Sequence, residues 1–379
     1  MGIILTIRIT TILYLTNKEC ILKSIFTFNK PKQKQNMGIK SNYNKFLKDT
    51  THEDEVFTVV HLSHFMYEKI AIDTSLFLYK YKAVMGELWI EGFLNLIKSM
   101  RDSSVHCCFV FDGISPVEKI GEQTKRKNSK NQLISNVKML EEGLSDYITN
   151  NIISDHITRL IHDKQVDDIR LFMEELIDKK KKQIIDISPG DFDTIKELLD
   201  ILSIPYLDAP GEAEKYCSKL CMDGKVKAVL SDDTDIIAYG APICLSKIDT
   251  FNNTVCKVEH AELCTSLKLT NKQLLDHCIM CGTDYNTNIP GVGAYTAYKY
   301  IRQYHNIENI QQQTELDVSI LNHSRVRDLF TDFVDVCDVE VPYCGPIHTD
   351  NLKNFIVKYQ IDSNYNYYRF VVSKLKFIN

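Results

Sequence analysis

The chain has 379 residues, of which 44% are hydrophobic and 25% charged, and its formal net charge is -5. That length and apolar fraction fit one large packed domain or two modest ones, and they exclude a disordered chain. The mild acidity excludes a uniformly basic nucleic-acid binder, so any such affinity must come from local basic patches. The twelve cysteines are scattered, as expected of reduced thiols in an intracellular compartment. Cys278 and Cys281 form one CxxC, which without a second pair falls short of the four ligands of a closed zinc site.

In chain order, the first 36 residues look foreign to the rest. The run IILTIRITTILYL is broken by Arg8 and is too short to span a bilayer. No small-residue cleavage site follows it. A single acid, Glu19, against Arg8 and several lysines gives it only a faint transit-peptide character. Met37-Gly38-Ile39 reads as a second start, so residues 1–36 are expected to be an upstream extension.

From Lys69 the chain reads as an α/β domain. KIAID (69–73), HCCFVFD (106–112) and KVKAVLSD (225–232) are apolar runs that end at or beside acids: Asp73, Asp112 and the Asp232/Asp233/Asp235 group. Helical stretches between them predict a mostly parallel central sheet with helices on both faces. Ligands of such sheets bind outside the carboxyl ends of the strands, where these aspartates would converge. A lone Asp after a strand is ordinarily a helix cap or turn former; three such positions favour a shared site.

The stretch Asp208–Asp235 adds Glu212 and Glu214. Carboxylates at that density repel one another unless a cation lies among them, which points to a divalent metal. Residues two apart on a helix face opposite ways, so the two glutamates can converge only where Pro210-Gly211 makes an irregular helix start. Its dipole would favour acids there.

Downstream of Asp112, GISPVEKIGEQTKRKNSKNQL is locally basic, and a charge run of this kind is by itself usually a solvated helix face. An amphipathic helical run is expected near Ile157–Leu176, followed by the cluster Lys179–Lys182. Between Asp276 and Ile301, helical residues flank GTDYNTNIPGVG, a turn whose backbone amides can face a phosphate. Residues 304–379 read as packing helices.

These residues carry a resemblance. Over residues 37–379 the chain resembles the flap endonuclease and XPG family of structure-specific 5′ nucleases. AIDTSLFLYKY is similar to the family's first acidic motif, with Asp73 the ligand and Tyr79 at the position of an aromatic that stacks on a base near the scissile phosphate. FVFDG matches the second, with Asp112. IPYLDAPGEAEKYC matches the E-A-E motif, with Glu212 and Glu214, and LSDDTDIIAYG the D-x-D motif, with Asp233 and Asp235. Asp232 falls where the family commonly has Glu and is not expected to be a ligand. CGTDYNTNIPGVGAYTAYKYI resembles the last motif, with Asp284 as the seventh acid.

The resemblance implies a PIN-like nuclease core with a helical arch or cap and a helix–two-turn–helix. It also implies two Mg2+ ions, with Mn2+ as a substitute, and a K+ ion at the helix–two-turn–helix. Asp73, Asp112, Glu212 and Glu214 would favour one divalent ion, and Asp233, Asp235 and Asp284 the other. Lys119 and Arg126 lie at the spacings of the catalytic Lys and Arg at the foot of the arch. Gly291, Gly293 and Lys299 fall in the duplex-gripping element, and Gly38 near the active site, because the family begins Met-Gly-Ile. Ala294 and Tyr295 depart from the family pattern, and no sliding-clamp peptide is evident in the closing YNYYRFVVSKLKFIN.

The expected organisation is an extension (1–36), an N-terminal nuclease region with the start of the arch (37–140) and the rest of the arch with a linker (141–190). An internal nuclease region with the helix–two-turn–helix (191–303) and C-terminal packing helices (304–379) follow. The expected function is magnesium-dependent cleavage of flap or branched DNA in replication or repair, by a monomer without membrane association. The nucleus is the expected location, with the cytoplasm as alternative. A 5′→3′ exonuclease and a catalytically silent DNA-binding module are the rivals. A dinucleotide-binding enzyme is disfavoured because no G-x-G-x-x-G follows the first strand. The Ile-, Lys-, Asn- and Tyr-rich composition suits an AT-rich genome, and the tail-less form a large DNA virus.

Overall fold

A computed structural model describes residues 38–51, 53–161, 168–333 and 339–361. The expected extension, and the chain end from residue 362, lie outside the described residues. Seven strands form one sheet: β1 (Thr58–His61), β2 (Lys69–Asp73), β3 (His106–Phe111), β4 (Tyr206–Asp208), β5 (Ala228–Leu230), β6 (Ile243–Asp249) and β7 (Thr254–Glu259), in the order β1-β7-β6-β5-β2-β3-β4. The five strands from β6 to β4 run parallel. The hairpin partner β7 and the edge strand β1 each pair antiparallel with their neighbours. The mostly parallel sheet read from the sequence is therefore present.

The side chains show why. Along β2, Ile70 and Ile72 face a core built from helices Thr74–Met85, Trp89–Asp102, Pro189–Ile201 and Thr349–Lys358, while Ala71 faces the opposite core under helix Ala213–Met222. Cys107, Phe109 and Phe111 of β3 point to the first core, and Cys108 and Val110 to the second. Period-2 alternation between two apolar faces is what makes these strands continuous apolar runs. β5 is shorter than its run: of 225–232, only Ala228–Leu230 pairs. Gly224 turns the chain at φ +71° just before it. Past it, Ser231 Oγ accepts from the Asp233 amide at 3.1 Å, bending the chain out of the sheet.

Strand order reverses around β2: the chain runs outward through β3 and β4, then returns to place β5 on the other side of β2. The carboxyl ends of β2 and β5 thus flank a topological switch point, where open α/β sheets bind ligands.

Two further bodies complete the fold. After β3 the helix Ile120–Asn150 runs 31 residues, about 46 Å at the α-helical rise. Its buried contacts are few: Val137 and Leu140 meet Ile177 of helix Ile169–Lys181. The expected helical run near Ile157–Leu176 comprises helix Asp155–Ile161 and the start of Ile169–Lys181; residues 162–167 lie outside the described residues. On the other side, helices Asn271–Cys281 and Ala294–Tyr304 flank a turn and share an apolar core with helices Tyr43–Thr50, Ile307–Gln313 and His323–Thr331.

Candidate active site

The same fold that buries the strands delivers the acids to one edge. Asp73 ends β2 and caps helix Thr74–Met85, accepting from the Leu76 amide at 3.2 Å. Asp112 follows β3 and accepts from the Ala213 amide at 2.8 Å, so it caps the helix that carries Glu214. Glu212 has extended backbone (φ -79°, ψ 138°) at that helix's N-cap, and Glu214 lies in its first turn. The irregular start expected from Pro210-Gly211 is what lets the pair escape opposite helical faces. After β5, Asp233 Oδ1 accepts from the Asp235 amide at 2.8 Å, and Asp235 opens helix Asp235–Tyr239. Four of the strands thus hand an acid to a helix start, where the backbone dipole favours negative charge. The plain capping role is present, and it sets these acids along one edge of the sheet.

Asp284 arrives from the second core on the turn after helix Asn271–Cys281. Asn286 fixes that turn: its Oδ1 accepts from the Thr283 amide and hydroxyl (3.1 and 2.8 Å), and its Nδ2 donates to Ile279 O at 2.9 Å.

The acids sense one another. Asp73, Glu212, Asp235 and Asp284 are buried, while Asp112 stands at the exposed rim. Burial, then the Asp112 charge, pushes Asp73 up to about 8. Burial pushes Asp233 up to about 6 against the hydrogen bond from the Asp235 amide. Glu214 is raised by loss of water and by the charges of Asp73 and Asp112, and Asp235 by burial and by Asp233 and Asp284. Buried like charges behave this way when no cation neutralises them.

Two side chains of the long helix's foot lean over the cluster. Lys119 Nζ lies 2.6 Å from Glu212 Oε1 and 3.5 Å from Asp284 Oδ2. Burial pulls its ammonium down, but Glu212, Glu214 and Asp284 outweigh this and raise it. Arg126 Nη2 donates to Asp284 Oδ2 at 2.8 Å. These cations meet only part of the demand: Asp235 Oδ1 and Asp284 Oδ1 are buried without a hydrogen-bond partner. Among the described residues no three acidic, His or Cys side chains already close on a common point as ligands. The donor set nevertheless fits hard, oxygen-seeking divalent ions: oxygens only, in excess negative charge, with two left open.

Gly38 packs against this edge. It holds φ +77°, and a Cβ there would lie 2.0 Å from Asp233 Oδ1 and 2.7 Å from Thr234 Oγ1, so no other residue fits without displacing the D-x-D loop. The Ile39 amide donates to Thr234 Oγ1 at 2.9 Å, and Lys40 N donates to Gly282 O at 2.9 Å.

Not every expected residue joins the cluster. Tyr79 is half-buried on the helix that Asp73 caps. Gly291, Gly293 and Lys299 belong to the turn and helix on the second core; Gly291 takes φ +78° and Lys299 is exposed. Asp232 pairs with Lys80, 2.6 Å distant, and accepts from Lys247 N at 2.6 Å. Ala294 is buried, and its carbonyl accepts from His277 Nε2 at 2.9 Å. The Tyr295 hydroxyl donates to Asp49.

Sequence reasoning missed several supporting residues. The Tyr285 hydroxyl donates to Glu212 Oε2, and the Tyr239 hydroxyl meets that of Tyr285. Ser231 Oγ reaches Asp73 Oδ2 at 3.4 Å. Tyr285 adjoins Asp284 and Tyr239 lies one helical turn past Asp235, which is the only local signal they carry.

The chain is similar to known proteins in sequence and in fold. Residues 37–133 match the XPG N-terminal domain and residues 203–284 the XPG I-region. The probable RAD2-like endonuclease 076L of Invertebrate iridescent virus 3 is 33% identical over 336 residues, covering 78% of this chain and 85% of that protein. Flap endonuclease 1 of Cryptosporidium parvum is 28% identical over 328 residues, covering 78% of this chain and 60% of that protein. Among solved structures, the catalytic core of Rad2 in complex with DNA substrate has the same fold, with a TM-score of 0.59 at 19% identity over 85% of this chain and 95% of that one. With acids, sheet and sequence relatives in agreement, the chain belongs to the flap endonuclease and XPG family of nucleases.

Proposed function

We propose that the protein is a structure-specific 5′ endonuclease that cuts flap or branched DNA near the junction of single and double strand. The observation that supports this reading most is that the acids along the carboxyl edge of the sheet raise one another's proton affinity while Lys119 and Arg126 pair with Glu212 and Asp284. Asp73, Asp112, Glu212, Glu214, Asp233, Asp235 and Asp284 are the residues that would hold two Mg2+ ions, with Mn2+ able to replace them. Such ions supply an activated water and charge stabilisation for the displacement at phosphorus. Lys119 and Arg126 would act on the scissile phosphate itself, balancing the charge that builds on its oxygens, Arg126 through a planar fork. Glu212 and Asp284 hold both cations in place beforehand.

The turn after helix Asn271–Cys281, with Gly291, Gly293 and Lys299, would grip duplex backbone and, with K+ at its carbonyls, do so without reading bases. Tyr79 would stack on a base beside the cut. We place the protein in replication or repair, acting as a monomer in the nucleus.

The test is cleavage of an end-labelled double-flap DNA by protein beginning at Gly38, with magnesium or with chelator. A magnesium-dependent product cut about one nucleotide into the duplex is the expected result. A ladder of mononucleotides from the 5′ end would move the assignment to exonuclease, and binding without cleavage would leave only a silent DNA-binding module.

A further inference from the structure

Helix His323–Thr331 belongs to the stretch read from sequence as packing alone, yet it reaches the Lys119–Glu212 pair from two sides. On one side Arg325 Nε donates to Glu118 Oε1 at 2.7 Å, and Glu118 is the residue immediately before Lys119. The other oxygen, Glu118 Oε2, is buried with no hydrogen-bond partner, so Arg325, together with the residue's own amide, fixes this carboxylate. On the other side Phe330 packs on both buried tyrosines, its ring centroid 4.8 Å from that of Tyr239 and 5.2 Å from that of Tyr285. Tyr285 donates to Glu212, so its oxygen is left to accept from Tyr239, and the two hydroxyls form a directed relay ending on Glu212 Oε2. The helix itself is held by Arg327, whose Nε and Nη2 donate to Asp276 Oδ1 at 3.0 and 2.8 Å and whose Nη1 donates to Glu308 at 2.9 Å.

We infer that helix His323–Thr331 is a positioning element for catalysis: Arg325 sets Lys119 through Glu118, and Phe330 with Tyr239 and Tyr285 sets Glu212. Lys119 and Glu212 sit 2.6 Å apart, so a shift on either side misaligns both. The inference rests on the nuclease reading above. It adds that a helix outside every acid motif governs how well the cations and carboxylates are aimed.

The experiment compares the parent chain with Arg325→Glu, the swap Glu118→Arg/Arg325→Glu and Tyr239→Phe. Cleavage of double-flap DNA is read together with flap binding in chelator, thermal midpoint, and Mn2+ titration of the DNA-free protein by calorimetry. Arg325→Glu is expected to lower kcat about tenfold with KM and chelator-state DNA binding within about twofold, since a misplacement of around an ångström is enough. The swap should recover most of that loss. Tyr239→Phe should weaken Mn2+ binding about threefold without lowering the midpoint appreciably, because only the aim of Glu212 changes. Unchanged kcat in Arg325→Glu with unchanged Mn2+ affinity in Tyr239→Phe would overturn the inference. So would losses that the swap does not restore and that follow a lowered midpoint. A parent chain that does not cleave removes the nuclease reading and this inference with it.

Discussion

Asp276 and Asp284 are both buried, and they lie on one helix and the turn that follows it, yet their surroundings are opposite. Asp276 is closed: Arg327 grips it through two nitrogens and the Ile307 amide approaches at 3.4 Å. Asp284 is open: Arg126 and Lys119 share one oxygen, and the other is buried without a partner. Arg327 comes from within the same apolar core as Asp276. Lys119 and Arg126 come from the foot of a helix with few buried contacts of its own. A carboxylate matched by its own core needs nothing further, and its bonds hold the fold together. One left half-paired against like charges is costly unless something else binds there, and a bound cation would relieve that cost.

The open setting of Asp284 depends on Lys119. Replacing Lys119 by Met removes the cation that bridges Glu212 and Asp284. We expect kcat to fall about 10²- to 10³-fold, the loss typical of one transition-state donor, with flap binding in chelator little changed. A loss under about threefold would mean that the open setting is structural, like that of Asp276.

A smaller effect follows from the raised carboxylates. Without metal, burial pushes Asp73 up to about 8 and Asp233 up to about 6, above their unfolded values near 4. Between those limits the folded state binds more protons than the unfolded one, so this contribution to stability falls as pH rises. The thermal midpoint in chelator should therefore drop between pH 6 and pH 8.5. Added Mg2+ should raise it more at the upper pH, where the acids are charged. A midpoint in chelator that climbs over this range would show that the acids are not crowded.

Much of this was legible in the sequence because it is local. KIAID and HCCFVFD announce strands buried on both faces, and each delivers its aspartate at the strand end. Pro210-Gly211 announces the irregular start that brings Glu212 and Glu214 together. The run at 225–232 is longer than β5, because Lys225–Lys227 come straight out of the Gly224 turn and Ser231 and Asp232 already belong to the turn that Ser231 Oγ closes on the Asp233 amide. The supporting bonds were not legible for a different reason. Arg325 meets Glu118 across 207 positions of chain, and nothing in either residue's neighbourhood states that distance. Tyr239 looks like a core tyrosine until the Tyr285 hydroxyl is seen against it. Long-range pairing of ordinary residue types leaves no periodic or motif signal.

Asp233→Asn decides whether the acids at the sheet edge cut DNA or merely shape the surface, because it keeps the side chain's size and an oxygen for the Asp235 amide while removing one charge. On labelled double-flap DNA with magnesium, cleavage is expected to disappear while binding of the same DNA in chelator persists. A variant that cuts as fast as the parent would contradict that expectation.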